Sequence, residues 1–468
     1  MSALLDALRG ALGAEFVIEN PADRERYEHG ARYDKGQCLA VLRPADTVEV
    51  AACLRLAAES GVRIIPQGAN TGLVGGSTPD GAGRDLVLSL ERLKSFAFDI
   101  DNASVRVGAG LLLSDLNARL EPEGMVFPID LGADPSIGGM IATNTGGARF
   151  LRHGDVRANV LGLTAVLPDG RVVRLGGGVR KNNTGPDWKH LLIGTSGAFG
   201  VVTEAELRVS ALPRETAVAL LVPAAAEAVL PVLRAMERRF GPMLSAFEGM
   251  SSGAVEAALA HVPALRNPFS PDPIPDYAML VEIARTMPAL EGEVPLEDLL
   301  QSGLAALMEE EPDLLLDARF GPPERGWALR HALSEGVKAA GKLIAFDLGF
   351  RRGQTMPFRL HMQRELARLH PEIRVCDFGH FGDGGLHFNL VVPFGSRWAS
   401  DEAAEKALRD RVIAVAVEEF GGSFSAEHAI GRRNQAYFDA YSDPRLKAWS
   451  AAILQTSGDT RIGAARFD

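Results

Sequence analysis

From residue 40 to residue 210, short β-branched runs alternate with amphipathic stretches. Residues 40–43, 62–66, 86–88, 105–107, 161–167, 172–175 and 200–209 read as strands, and 47–60 carries apolar positions at helical spacing. Proline and a shift of composition at 210–214 place a boundary near 212. Beyond it, 217–222 and 278–283 read as strands and 224–240 and 295–310 as helices. Between them, five prolines (Pro263, Pro268, Pro271, Pro273, Pro275) forbid a central strand or helix in 261–277, which reads as a functional lid or a plain surface excursion. The pattern predicts a mixed helix–sheet fold in more than one domain.

Composition narrows the function classes. With 49 basic and 60 acidic residues the net charge is −11, which argues against nucleic acid or an anionic membrane as partner. A 46% hydrophobic share with 23% charged residues excludes disorder. The longest apolar stretch, 216–233, is broken by Pro223, Glu227 and Pro231, so no transmembrane helix is expected. Three cysteines without a CxxC pair suit a reducing compartment, and residues 1–16 read as an amphipathic helix rather than a signal peptide. A cytoplasmic protein is expected.

Glycine is in excess, 50 residues, and concentrates in loops. The first loop runs Pro66, Gln67, Gly68, Ala69, Asn70, Thr71, Gly72, Leu73, Val74, Gly75, Gly76, Ser77. Missing Cβ atoms let successive N–H groups turn inward as an anion-binding nest, although a glycine-rich surface turn has the same composition. It is neither a Walker A loop nor GxGxxG. A second loop, Asp134 to Gly147, holds Pro135, Ser136, Gly138, Gly139, Thr143, Asn144, Gly146 and Gly147. Residues 181–185 and 194–200, the latter with Gly197 and followed by Val201, complete the set. Four such loops in 135 residues suit a flat cofactor with a pyrophosphate tail better than turns alone.

In these blocks the segment 40–210 resembles the FAD-binding domain of the vanillyl-alcohol-oxidase type, and nearly the whole chain is similar to the D-2-hydroxyacid dehydrogenases of that superfamily. The resemblance implies an α+β fold: a two-subdomain FAD-binding domain over 1–212, an α+β substrate domain with an antiparallel sheet over 213–410, and a small helical segment over 411–468. It implies FAD held non-covalently, since Asn70 and Thr71 stand where covalent members carry a histidine. It also implies a small 2-hydroxy acid substrate, a homodimer, and an electron acceptor such as an electron-transferring flavoprotein or a quinone.

Two histidines flank a turn in His380-Phe381-Gly382-Asp383-Gly384-Gly385-Leu386-His387. With Asp383-Gly384 as a two-residue hairpin turn they would be directly opposed, as metal ligands or as a buried pair bonded to carbonyls. Ser425-Ala426-Glu427-His428 offers a carboxylate and a further imidazole. The resemblance implies a divalent metal, zinc or manganese, on His380, His387 and Glu427, with His428 as general base. On a helix, Arg330 and Ser334 share a face, and the resemblance implies that they bind the substrate carboxylate. Ala345, Gly385 and Ala429 depart from the hydroxyglutarate-oxidising pattern, which has lysine at the first position. Two other readings stand: an alditol or sugar oxidase on the same fold, and a non-catalytic flavoprotein subunit.

Overall fold

Alternation of apolar side chains along Glu215–Pro223 sends Ala217, Ala219 and Leu221 to one face and Val218 and Leu220 to the other, and both sets are buried. A strand with no polar face belongs in a sheet covered on both sides. The computed structural model, which describes residues 2–32, 35–396, 398, 400–458 and 460–468, places it in one.

The chain forms two units. The first contains the residues up to Gly146, Gly154–Leu212 and Glu427–Asp468. Its four-stranded sheet runs in the order Val17–Ile18, Cys38–Leu42, Asp85–Ser89, Ile64–Gln67, the last three parallel. Pro66 is tolerated because Ile64–Gln67 is an edge strand of that sheet. A five-stranded antiparallel sheet follows, in the order Phe96–Asp99, Ser104–Gly108, Val201–Arg208, Val160–Val166, Val172–Gly176. Helix Ser2–Leu12 buries Leu4, Leu5, Leu8 and Leu12 at helical spacing, and helix Thr47–Glu59 is capped by Asp46, which accepts from Val48 and Glu49.

The second unit contains Gly147–His153 and Pro213–Ala426. Its sheet is antiparallel, in the order Leu315–Phe320, Glu215–Pro223, Tyr277–Arg285, Leu244–Ser251, Phe378–Gly379, Gly385–Val392, Lys342–Gly349, with Arg374–Val375 also pairing Gly385–Val392. Helices Val229–Phe240 and Leu296–Glu310 cover one face, and Ser252–His261 and Pro323–Ala339 the other. No regular element falls between His261 and Tyr277.

The expected two-residue hairpin is not what forms. Phe378, not His380, pairs with His387. The N–H groups of Asp383 and Gly385 both return to the His380 carbonyl, Asp383 Oδ1 accepts from the Gly385 N–H at 2.7 Å, and Gly384 takes φ +93. These bonds close a wider turn that lifts His380 out of the ladder. The two imidazoles nonetheless meet edge to face, their centroids 5.3 Å apart.

Candidate functional site: a glycine-lined cradle and a buried carboxylate

Within the first unit, loops far apart in sequence come together through glycine. A Cβ at Gly68 would lie 2.0 Å from Ser136 Oγ, and one at Gly431 would lie 2.3 Å from the Val74 carbonyl oxygen and 2.7 Å from Gly76 N. The loop at 194–200 is bonded to helix Ile137–Thr143, with Gly194 N–H donating to the Ile141 carbonyl at 3.0 Å and Ser196 N–H to that of Ala142 at 2.8 Å. Ser196 Oγ donates to the Ile430 carbonyl at 2.6 Å, and Arg432 donates to Thr78 through both its carbonyl and its hydroxyl. The first, second and fourth glycine loops thus converge with segment 427–433. The third, 181–185, is exposed.

The side chains of the first loop brace it rather than face outward. Gln67, buried, donates to the Tyr27 and Ser77 carbonyls at 2.9 and 2.7 Å, Asn70 donates to the His29 carbonyl, and Ser77 Oγ donates to Asn70 Oδ1 at 2.8 Å. Asn144 is likewise held by Asp155 at 2.7 Å. Among the described residues, four of the five non-glycine residues at positive φ, Asn70, Asn144, Ser196 and Ala429, sit in these segments. Conformations of that kind persist where surroundings enforce them, often at ligand sites. Among the described residues, no main-chain N–H from Gly68 to Ser77 donates to a protein acceptor. A half-buried row of such donors fits a pyrophosphate.

In the second unit, Arg330 and His380 meet on a carboxylate that sequence reasoning missed. Glu248, 1% exposed on strand Leu244–Ser251, accepts from Arg330 Nε at 2.8 Å and Nη2 at 2.7 Å on Oε2, and from His380 Nδ1 at 3.0 Å on Oε1. Burial alone would raise its pKa, but the hydrogen-bonded His380 and the Arg330 guanidinium hold it below the usual carboxylate range. Ser334 does not join this cluster: Arg330 is 7% exposed, whereas Ser334, at the flank of the same helix, is exposed. His387 lies opposite Asp347 in the ladder, Nδ1 to Oδ1 3.8 Å, and Asp347 Oδ2 accepts from the N–H of Ala426, the residue before Glu427, at 3.0 Å. Two imidazoles, one with its Nδ1 bonded to a carboxylate, are donors suited to a divalent ion.

A second buried carboxylate anchors the stretch that follows the second glycine loop. Glu282 accepts from Arg149 Nε at 2.9 Å and Nη2 at 3.1 Å, from Ser245 Oγ at 2.6 Å and from Trp327 Nε1 at 2.8 Å.

Residues 38–176 match the FAD binding domain, and residues 212–453 match the C-terminal domain of FAD linked oxidases. The chain belongs to the FAD-linked oxidase family. It is 33% identical over 437 residues to a D-2-hydroxyglutarate dehydrogenase of Xanthomonas citri pv. viticola, covering 92% of this chain and 89% of that one. It is 35% identical over 443 residues to the mitochondrial D-2-hydroxyglutarate dehydrogenase of Bos taurus, covering 91% and 76%. Among solved structures, p-cresol methylhydroxylase with substrate bound superposes with a TM-score of 0.73 at 14% identity, over 98% of this chain and 95% of that one. The 4-ethylphenol oxidase of Gulosibacter chungangensis gives 0.69 at 18%, again over 98% and 95%. The α+β architecture of this FAD-linked oxidase is therefore that of the vanillyl-alcohol-oxidase type, as its glycine loops imply. No helix among its described residues is long and apolar enough to cross a membrane.

Proposed function

We propose that this FAD-linked oxidase oxidises a D-2-hydroxy acid to the corresponding 2-oxo acid. The observation that carries the reading is identity of 33–35% with D-2-hydroxyglutarate dehydrogenases across nine-tenths of the chain. The cation–carboxylate cluster at Arg330 and His380 supports it. When bound, FAD supplies a hydride acceptor and a zinc or manganese ion supplies a Lewis acid for the α-hydroxy acid.

The residues divide the work. The loops at 66–77 and 135–147, with Gly197 and Val201, hold FAD without a covalent tether, because Asn70 and Thr71 occupy the tethering stretch. His380 and His387, with Glu427 of the 425–431 motif, would hold the metal. His428 takes the proton from the substrate hydroxyl as the Cα hydrogen departs with its electron pair. Arg330 offers its remaining guanidinium N–H groups to the carboxylate, and Ser334 assists from the flank of the helix. An electron-transferring flavoprotein or a quinone would be the electron acceptor that this chemistry needs. Three buried thiols suit a reducing compartment such as the cytoplasm.

Anaerobic titration of the purified protein with D- and L-2-hydroxy acids tests the reading. Bleaching of the flavin band by a D-acid is expected; a bound flavin that no hydroxy acid bleaches would refute it. His428→Asn should slow that reduction about 10²–10⁴-fold.

A further inference from the structure

Glu248 is the point where His380 and Arg330 meet, and no motif marks it. We propose that Glu248 is a positioning residue that presents His380 to the metal and Arg330 to the substrate carboxylate; this rests on the function proposed above.

A neutral histidine carries one proton and one lone pair on its ring nitrogens, and a metal needs the lone pair. His380 Nδ1 lies 3.0 Å from Glu248 Oε1, and a carboxylate can only accept, so the proton sits on Nδ1 and the lone pair on Nε2. The same carboxylate orients the guanidinium. Its Oε2 takes Arg330 Nε and Nη2 at 2.8 and 2.7 Å, and the Phe378 ring centroid lies 5.0 Å from Cζ. Edge and face of the planar fork are both engaged, so the direction of the remaining N–H groups is set. Glu248 itself cannot wander. It lies on an inner strand, opposite Leu280, with Met250 paired to Phe378 two residues on. One fixed carboxylate therefore ties the ligand histidine and the clamping arginine together.

Replacement by glutamine separates the roles. The amide has one acceptor and one donor end where the carboxylate has two acceptors, so it serves His380 Nδ1–H or the arginine, but not both. In flavin-loaded Glu248→Gln, Zn²⁺ affinity measured by equilibrium dialysis should fall about 10–100-fold, and KM for the bleaching hydroxy acid should rise. Arg330→Lys leaves the histidine bond in place, so it should raise KM while Zn²⁺ affinity stays within about threefold. A purely structural Glu248 would lower Tm without changing the affinity of the folded, flavin-loaded fraction, and a Zn²⁺ affinity in Glu248→Gln within twofold of wild type would overturn the proposal.

Should that variant fail to fold, ¹⁵N-histidine spectra of metal-stripped wild-type enzyme decide the matter. His380 Nδ1 should carry a proton, and a neutral ring protonated on Nε2 alone would overturn the assignment. Wild-type enzyme that binds neither Zn²⁺ nor Mn²⁺ would count against the metal-assisted reading instead, and the tautomer would still settle what Glu248 does.

Discussion

Gly431→Ala isolates the contact on which the flavin cradle depends. A Cβ there would sit 2.3 Å from the Val74 carbonyl oxygen, 2.7 Å from Gly76 N and 2.9 Å from the Val74 carbonyl carbon. All three are main-chain atoms, so no side chain can swing aside. Gly431 is not among the residues at positive φ, so alanine meets no backbone penalty and the effect is purely steric. Reaching an ordinary separation requires the 427–433 segment and the 68–77 loop to part by about 1 Å. Overpacking of this size typically costs about 1–3 kcal/mol, or roughly five- to hundredfold in FAD affinity at 1.4 kcal/mol per decade. Gly81→Ala is the control, because nothing lies within 4 Å of its Cβ and its φ is ordinary. Flavin retained after gel filtration, and Kd from fluorescence recovery of released FAD, provide the assay. Gly431→Ala with full flavin content and an unchanged Kd would show that this approach does not shape the cradle.

Two further outcomes follow from buried groups. Burial would raise the Glu282 carboxyl, but hydrogen bonding and charge from Arg149, with Ser245 and Trp327, hold it below the usual range. A depressed carboxyl contributes stability that is present above its unfolded pKa and is lost as pH falls through the folded value, so the contribution should fade below about pH 4.3. Glu282→Gln should cost about 3 kcal/mol at neutral pH, the low end for a broken buried pair because Arg149 is partly exposed, and should flatten the acid limb of Tm against pH; an unchanged acid limb would refute this. Burial pushes the thiols of Cys38, Cys53 and Cys376 up to about 12. Native enzyme at pH 8 should therefore resist iodoacetamide and take up three labels only when denatured, and rapid native labelling would contradict the burial.

Much of the fold was legible because its elements announce themselves locally. The run read as a strand at 217–222 is the middle of Glu215–Pro223, and the stretch holding Arg330 is the helix Pro323–Ala339. Convergence of three of the four glycine loops was legible as composition alone, since close main-chain approach demands glycine whatever the partner; the remaining loop, 181–185, shares the composition but is exposed. The register of the histidine turn was not. Asp383-Gly384 has the composition of a two-residue turn, but hydrogen bonds back to His380 closed a wider one, and nothing local distinguishes the two. Helical spacing grouped Arg330 with Ser334, yet the structure buries Arg330 and exposes Ser334, because spacing could not say where the buried stripe ends. Glu248 and Glu282 were illegible for another reason. Each is a single acid within an apolar strand, and its arginine lies 82 or 133 residues away, so only tertiary structure reveals the pair.

We propose that substrate preference turns on Ala345. The register places Ala345 opposite Asn389, and two residues along places Asp347 opposite His387, so Ala345 and His387 lie on the same face of the sheet. A methyl group there offers no charge to a second carboxylate. Arg409, the cation bonded to this position, donates Nη1 to the Ala345 carbonyl at 3.1 Å and lies over the Phe346 ring, which points to the opposite face. A monocarboxylic acid such as D-lactate should therefore be preferred to D-2-hydroxyglutarate. Ala345→Lys supplies the missing charge, and a charge-assisted hydrogen bond is worth about 1.5–3 kcal/mol. The ratio of kcat/KM for D-2-hydroxyglutarate over D-lactate should then rise roughly 10–100-fold. A ratio unmoved by the lysine, in a variant that keeps its flavin and its Tm, would mean that the second carboxylate is read elsewhere than on this face.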